Sequence, residues 1–342
     1  MGRRRAVVIG GGVGGLAAAV GLRRRGWDVV VHERSAALPD VGTGLGIWPD
    51  ALRALDRLGL GDAARRVGRR QPDGTLRKPD GTVIGALDAG SVHLLTRPAL
   101  LGVLAGALPD GVIRFGATAD LAGCADGCDV VVGADGIHSG VRGALFDAEV
   151  RRSGAVGWRG TVDVPVAAGG ETWGRGVKFG LTPQADGRTN WYAMTGPDDD
   201  LDVFADWHDP IPRVLAAAGD VLRHDLLHLA PLPSYVQGRV ALLGDAAHAM
   251  TPDLGQGACQ AIIDGVVLAE CLAGDVDAGL RAYDAQRRRA TRLLARRSLQ
   301  LNRLARVRRG TAVRDAVLRV ALALRPRSPS WSADLERDEL AG

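Results

Sequence analysis

Lysine is nearly missing from this chain of 342 residues: of 43 basic residues only Lys78 and Lys178 are lysines, and arginine carries the rest. Arginine suits phosphate and carboxylate recognition. The surplus over 39 acidic residues is only +4 and is spread along the chain, which argues for a solvated face and against a nucleic-acid partner. Cysteine is scarce too. Cys124, Cys128, Cys259 and Cys271 are too few for a disulfide framework in a chain this long, and Cys124 and Cys128 lack the second pair or nearby histidine of a zinc site, so no metal is expected. No apolar run approaches the roughly 18 residues of a membrane span. The basic start Met1–Arg5 resembles a secretion signal, but Gly10-Gly11-Gly12 interrupts the apolar run behind it, so a cytoplasmic protein with no membrane partner is expected. Internal repeats and low-complexity tracts are absent as well.

Glycine, in contrast, is abundant, and two glycine-rich fingerprints stand out. The first, Val7-Val8-Ile9-Gly10-Gly11-Gly12-Val13-Gly14-Gly15-Leu16, lies between an apolar run of parallel-strand type and a helical pattern, and is closed by Glu33-Arg34 at the end of the next strand. Gly10 permits the tight turn, Gly12 leaves room for a pyrophosphate, and Gly15 lets helix and strand pack closely. Val13 and Gly14 begin the helix, whose N-terminus faces the phosphate charge. Glu33 can accept both ribose hydroxyls and would repel a 2′-phosphate, which leaves NAD or FAD for this site. The second fingerprint is Val240-Ala241-Leu242-Leu243-Gly244-Asp245-Ala246-Ala247-His248, followed by Pro252 and Gly255-Gln256-Gly257. It has the form of a grip on the other half of a dinucleotide.

Between them the pattern changes. Residues 6–34 read as a βαβ unit, and helices are expected at 49–58 and 98–108. The Asp73-Gly74 and Asp80-Gly81 turns predict antiparallel hairpins within 70–95. Strands of parallel type are expected at 112–115 and 129–132. From about 151 to 237 the chain alternates and turns like an antiparallel sheet, with strands at 161–166, 177–181 and 190–194. A parallel strand returns at 240–243, followed by helices near 257–273, 278–306 and 312–324; the last reads as an amphipathic helix capping the core.

These motifs in this order resemble the single-component FAD-dependent aromatic hydroxylases, the para-hydroxybenzoate and salicylate hydroxylase type. The second fingerprint is similar to that family's second flavin motif, and Val132-Gly133-Ala134-Asp135-Gly136-Ile137-His138-Ser139-x-Val141-Arg142 to its middle motif. Trp158-Arg159-Gly160, Arg97 before its helix, and Trp48-Pro49 also match, so the likeness extends from residue 6 to about 290. It implies an α/β fold: a Rossmann-like FAD-binding core (1–69, 96–150 and 238–306), an interleaved antiparallel substrate layer (70–95 and 151–237), and a C-terminal helix and tail (307–342).

The resemblance further implies bound FAD, with NAD(P)H and O2 as transient co-substrates. A flavin C4a-hydroperoxide would hydroxylate or epoxidise a small aromatic or electron-rich substrate. Cofactor contacts fall on Gly10, Gly12, Val13, Gly14, Gly15, Glu33, Arg34, Arg97, Asp135, Asp245, Gly255 and Gly257. Asp245 would accept from the ribityl hydroxyls, and Arg97 would reach the pyrophosphate or ribityl oxygens. Asp135 would orient backbone and a nearby arginine. The flavin is the reagent, so no catalytic side chain is required; Pro252, Gly255 and Gln256 are the candidates beside it. Trp173, Phe179, Trp191, Tyr192 and Met194 are substrate candidates, with alternation placing Trp191 and Tyr192 on opposite faces.

His224 and His228 lack a third ligand and are expected to be structural. Departures from the family are Ile263 and Gly265, Asp253 where asparagine is common, and only 13 residues between Phe115 and Asp129, too few for the usual three-stranded meander. Ile263 suggests altered packing behind the flavin ring. A halogenase would show Trp-x-Trp and a catalytic lysine; the former is absent, and Lys78 sits beside a turn. The same fingerprints would also serve a related oxidase or dehydrogenase, or a flavoprotein-like binding protein that has lost catalysis. A monomer or homodimer is expected.

Overall fold

The computed structural model describes residues 3–40, 42–71, 73–87, 92–119, 121–125 and 127–324. The chain opens with Arg5–Ile9 (β1), Val13–Arg24 (α1) and Asp28–Glu33 (β2), and continues through Gly44–Ile47 (β3), Pro49–Arg57 (α2), Gly61–Val67 (α3), Arg69–Arg70 (β4), Gly74–Arg77 (β5) and Val83–Leu87 (β6). His93–Thr96 (β7), Arg97–Ala105 (α4), Ile113–Phe115 (β8), Leu121–Ala125 (α5), Val130–Gly133 (β9) and Gly140–Leu145 (α6) lead into Val150–Val162 (β10). Gly170–Trp173 (β11), Lys178–Pro183 (β12), Thr189–Thr195 (β13), Ile211–Ala216 (α7) and Leu222–Leu229 (β14) follow. The chain returns through Val236–Gln237 (β15), Val240–Leu242 (β16) and Asp245–His248 (α8) to three helices: Gly257–Cys271 (α9), Val276–Ala305 (α10) and Thr311–Leu324 (α11).

Three sheets result. The first has the order β15-β16-β9-β1-β2-β8 and is parallel apart from the β15–β16 pair. Its strands are short apolar runs, such as the wholly buried Val130–Gly133, because helices cover both faces of such a sheet. The second, β14-β10-β13-β12-β11-β5-β6, is antiparallel except where β11 meets β5. The third is a small sheet, β3-β7-β4.

Two details differ from the sequence-based expectation. Asp80-Gly81 does turn the β5–β6 hairpin, but Asp73-Gly74 joins β4 of the small sheet to β5 of the large one, and β7 pairs with β3. Those turns mark chain reversals without saying which sheet receives the next strand. The segment between Phe115 and Asp129 carries the short helix α5 in place of a strand of the meander. The largest core cluster joins α1, α2, α4 and α9 to the parallel sheet. A second lies on the outer face of the large sheet, around Phe179, Trp191 and Phe204. A third joins the other face of that sheet to the end of α10 and to α11. No helix among the described residues is long and apolar enough to cross a membrane.

Candidate active site

The strand order explains how fingerprints 230 residues apart can act together. β1 and β16 both flank β9, and Ile9 and Leu242 stand level with the same residue, Gly133. Their C-terminal ends are thus two strand spacings apart, about 10 Å, and ligands of parallel sheets gather at that edge. Gly10 has φ +109°, and a Cβ there would lie 2.3 Å from the Ala134 carbonyl oxygen of the middle motif. A Cβ on Gly15 would lie 2.0 Å from the Gly10 carbonyl oxygen, so strand and helix touch backbone to backbone. Around Gly12 a Cβ would meet nothing within 4 Å. That is open space in front of α1, whose N-terminus has no side-chain cap.

Glu33 accepts from the Gly11 N–H (2.7 Å) and the Ser35 N–H (2.8 Å). Burial alone would raise its pKa, but these donors outweigh it and hold the carboxyl below its ordinary range. A fixed carboxylate, open space and uncapped amides fit the ribose and pyrophosphate of FAD. Val13 and Gly14 are buried at the start of α1, while Arg34 is exposed beside Glu33.

At the second fingerprint Asp245 is exposed, and its Oδ1 would lie 3.9 Å from a Cβ on Gly257. Gly255 takes φ +63°, and α9 then starts at Gly257, again without a side-chain cap. Behind this loop lies a buried polar chain. Asp264 Oδ2 accepts from the Gly244 N–H (2.9 Å) and pairs with His248 Nε2 (2.6 Å), while Oδ1 accepts from Arg287 Nε (2.6 Å). Arg287 also donates to Gln260, and Gln260 to Gln256 in the loop itself. Burial would push the Asp264 carboxyl up, but His248 and Arg287 hold it well below the carboxylate range. α10 braces the loop further through Ser298 Oγ on the Thr251 carbonyl (2.5 Å) and Asn302 Nδ2 on Asp253 (3.0 Å).

Facing the loop is one face of the large sheet. Register places Glu171, Trp173, Lys178, Gly180, Tyr192, Met194 and Arg159 on it. Lys178 Nζ, with its side chain only 4% exposed, lies 3.3 Å from Glu171 and 3.1 Å from Asp253 of the loop. Burial would lower the pKa of this amine, yet the two carboxylates outweigh it and keep the ammonium charged. Glu171 also accepts from Tyr192 Oη (2.5 Å) and Trp173 Nε1 (2.6 Å). Burial, then Glu171, pushes the Tyr192 phenol well above its ordinary value, so it remains a donor. A Cβ on Gly180 would fall 2.1 Å from the Tyr192 ring, so glycine there lets the ring lie across the sheet.

Three comparisons bear on this geometry. The FAD binding domain family model matches residues 3–98 and 231–298. The chain is 34% identical over 322 residues to aurachin C monooxygenase/isomerase of Stigmatella aurantiaca, covering 82% of this chain and 84% of the relative. It is 32% identical over 340 residues to an FAD-dependent urate hydroxylase of Klebsiella pneumoniae, with 83% and 85% covered. The chain belongs to the FAD-dependent aromatic hydroxylases. A crystal structure of Klebsiella pneumoniae HpxO complexed with FAD and uric acid superposes with a TM-score of 0.82 at 28% identity, over 93% of each chain.

Within this aromatic hydroxylase the sequence-derived candidates divide. Trp173, Tyr192 and Met194 are on the face toward the flavin loop, Met194 Sδ lying 3.3 Å from Asn302 Nδ2. Phe179 and Trp191 are not: they stack with ring centroids 5.5 Å apart on the opposite face, with Phe204 edge-on to Phe179. Aromatic character alone suggests them as substrate contacts, and strand alternation sends them to the outer core. Asp135 accepts from Ser139 Oγ and the Val141 N–H, whereas Arg142 bonds the carbonyls of Ile137 and Ala246, tying the middle motif to α8. Arg97 is exposed at the start of α4, with its backbone N–H on the Thr43 carbonyl. Pro252 is exposed and Gln256 buried at the loop.

Sequence reading misses Lys178, Glu171, Asp264 and Arg287. For Lys178 a signal exists, since it is one of two lysines among so many arginines. Gly265, a departure from the family pattern, has a packing reason: a Cβ would lie 2.6 Å from the Ala18 backbone nitrogen, so α9 and α1 need it to pack this closely. Ile263 is half-buried against the main core cluster.

Proposed function

We propose that this aromatic hydroxylase uses bound FAD, NAD(P)H and O2 to oxygenate a flat aromatic or heteroaromatic substrate held between the loop 252–257 and the Lys178 face of the large sheet. The observation that carries the reading is the convergence of three things at one edge: the open space at Gly12, the uncapped start of α9, and a sheet face of fixed donors opposite that helix start. When bound, FAD supplies the redox and oxygen chemistry. The chain's own groups bind, orient and exclude water.

In this reading Gly10, Gly12, Val13, Gly14, Gly15, Glu33 and Arg34 surround the ADP half, Arg97 serves the pyrophosphate or ribityl oxygens, and Asp245 serves the ribityl hydroxyls. Asp135 holds the turn that bears Arg142. Amides at Gly255 and Gly257 stabilise negative charge at the flavin ring edge. Residues 1–69, 96–150 and 238–306 form the cofactor unit, 70–95 and 151–237 the substrate unit, and 307–342 a C-terminal helix and tail; of the last, 325–342 lie outside the described residues.

Arg159 stands opposite Tyr192 in register, and its strongest charged neighbour is another cation, Arg97. Burial and that like charge both depress its pKa. A guanidinium so placed is suited to an electron-rich oxygen on the substrate. The relatives' named substrates, urate and 6-hydroxynicotinate among them, are oxygenated heteroaromatic rings, consistent with such donors.

The test is NAD(P)H oxidation and oxygen uptake by the FAD-loaded protein across a panel of phenols and hydroxylated heteroaromatics. Stimulation of both with a product heavier by one oxygen is expected. NAD(P)H consumption without oxygen uptake would favour a reductase, and a protein that fails to take up FAD would defeat the reading.

A further inference from the structure

The C-terminal helix α11 is held to the protein by one face and leaves the other bare. Its inner face is firmly docked: Arg314 is buried and donates to the Gly174 carbonyl (2.8 Å), its guanidinium lies over the Trp173 ring, and Leu318 and Leu322 join the third core cluster. Its outer face carries Val313, Val317, Val320 and Leu324, which are 70%, 60%, 57% and 77% exposed. These are four of the nine large apolar side chains exposed among the described residues, gathered on one helix. Ala312, Ala316, Ala321 and Ala323 are exposed between them, and Arg319 is the single charge on that face.

What covers such a face is argued from its pattern. The spacing of 4, 3 and 4 residues makes a straight helix-packing seam. The stripe also reads alike in both directions about its midpoint: 313 matches 324, 316 matches 321, and 317 matches 320. A surface that is its own complement is what a two-fold contact requires. The interleaved alanines let two backbones approach closely. A lipid surface is served poorly, because an interfacial helix has bulky aromatics on one side and a solvated basic face on the other. Here the polar side, Arg314 and Asp315, is buried in protein.

A 14-residue helix is about 21 Å long. Pairing it with a twin buries on the order of 500 Å² per copy, below the roughly 800 Å² of a standard interface. Val83, 45% exposed on the edge strand β6 against which α11 packs, extends the patch. An interface of this size associates in the micromolar range.

We propose that α11 is a dimerisation surface, in which two copies of this chain pair their helices antiparallel across a two-fold axis near residues 318 and 319. Val317 of each copy then meets Val320 of the other. The proposal does not depend on the identity of the substrate.

The test is the mass of the full-length, FAD-loaded protein by light scattering or sedimentation from about 1 to about 100 µM. Wild type is expected to double in mass with concentration. V317E and V320K alone should each remain monomeric, a loss of at least about 10-fold in association. The V317E/V320K double variant should dimerise again, because the introduced carboxylate of each copy would then face the introduced ammonium of the other. Retained FAD and an unchanged melting temperature would show that the single variants are folded. A monomer at every concentration, a dimer indifferent to both single substitutions, or a double variant no better than the singles would overturn the proposal. So would V317E-sensitive sedimentation with phosphatidylcholine/phosphatidylglycerol vesicles in place of self-association.

Discussion

A single ammonium joins the two halves of the site, and its removal should be felt in the fold. K178M would leave Glu171 and Asp253 buried beside an apolar side chain. The expected loss is roughly 3–5 kcal/mol of unfolding free energy in urea, with K178R recovering a substantial part because it restores the charge. Asp264 gives a pH prediction. Its folded pKa is depressed, so its contribution to stability is complete above the ordinary carboxylate value of about 4 and is lost as pH falls through the lower folded value. Wild type should therefore lose stability on acidification below about pH 5 more steeply than D264N, which starts lower at neutral pH. Parallel slopes in urea titrations at pH 7, 5 and 3 would contradict this. Both residues are hard to read from sequence for the same reason. A buried charge is defined by partners far along the chain, and Lys178–Asp253 and Asp264–Arg287 have no local pattern.

At the scale of elements, the start of α1 separates a binding glycine from a packing glycine. Gly12 has ordinary extended backbone and empty space before it, so G12V should leave the apo protein's melting temperature nearly unchanged. The same substitution should weaken FAD by more than about 100-fold in a fluorescence titration, because its side chain fills the room left for phosphate. Gly15 is the converse. G15A drives a Cβ into the Gly10 carbonyl, so soluble, folded protein should be lost whether or not FAD is supplied. Elements of this kind are legible because strand, glycine turn and helix each leave a local mark, and α1, α2, α4, α9 and α10 lie within a few residues of their expected places. The sheet that receives a strand is not legible. β5 runs parallel to β11, nearly a hundred residues later, and β7 turns back to β3. Aromatic content misleads for Phe179 and Trp191, where period-two alternation is the better guide.

For the whole molecule, the cofactor ties distant stretches of chain to one edge of the parallel sheet. FAD at 100 times its dissociation constant should add about 2.7 kcal/mol to unfolding, visible as a raised melting temperature of the entire chain in one transition. D245A should shrink that shift while leaving the apo transition in place, since the Asp245 side chain is exposed. Two transitions, with only one sensitive to FAD, would mean that the sheets unfold separately. The shortage of lysine has a practical outcome at this scale. Amine-directed reagents need a neutral, accessible amine, and the chain offers two lysines besides its α-amino group. Lys178 is buried and kept protonated between Glu171 and Asp253. Lys78, at the tip of the β5–β6 hairpin, is thus the one side-chain amine open to acylation, a single built-in attachment point for a dye or a solid support.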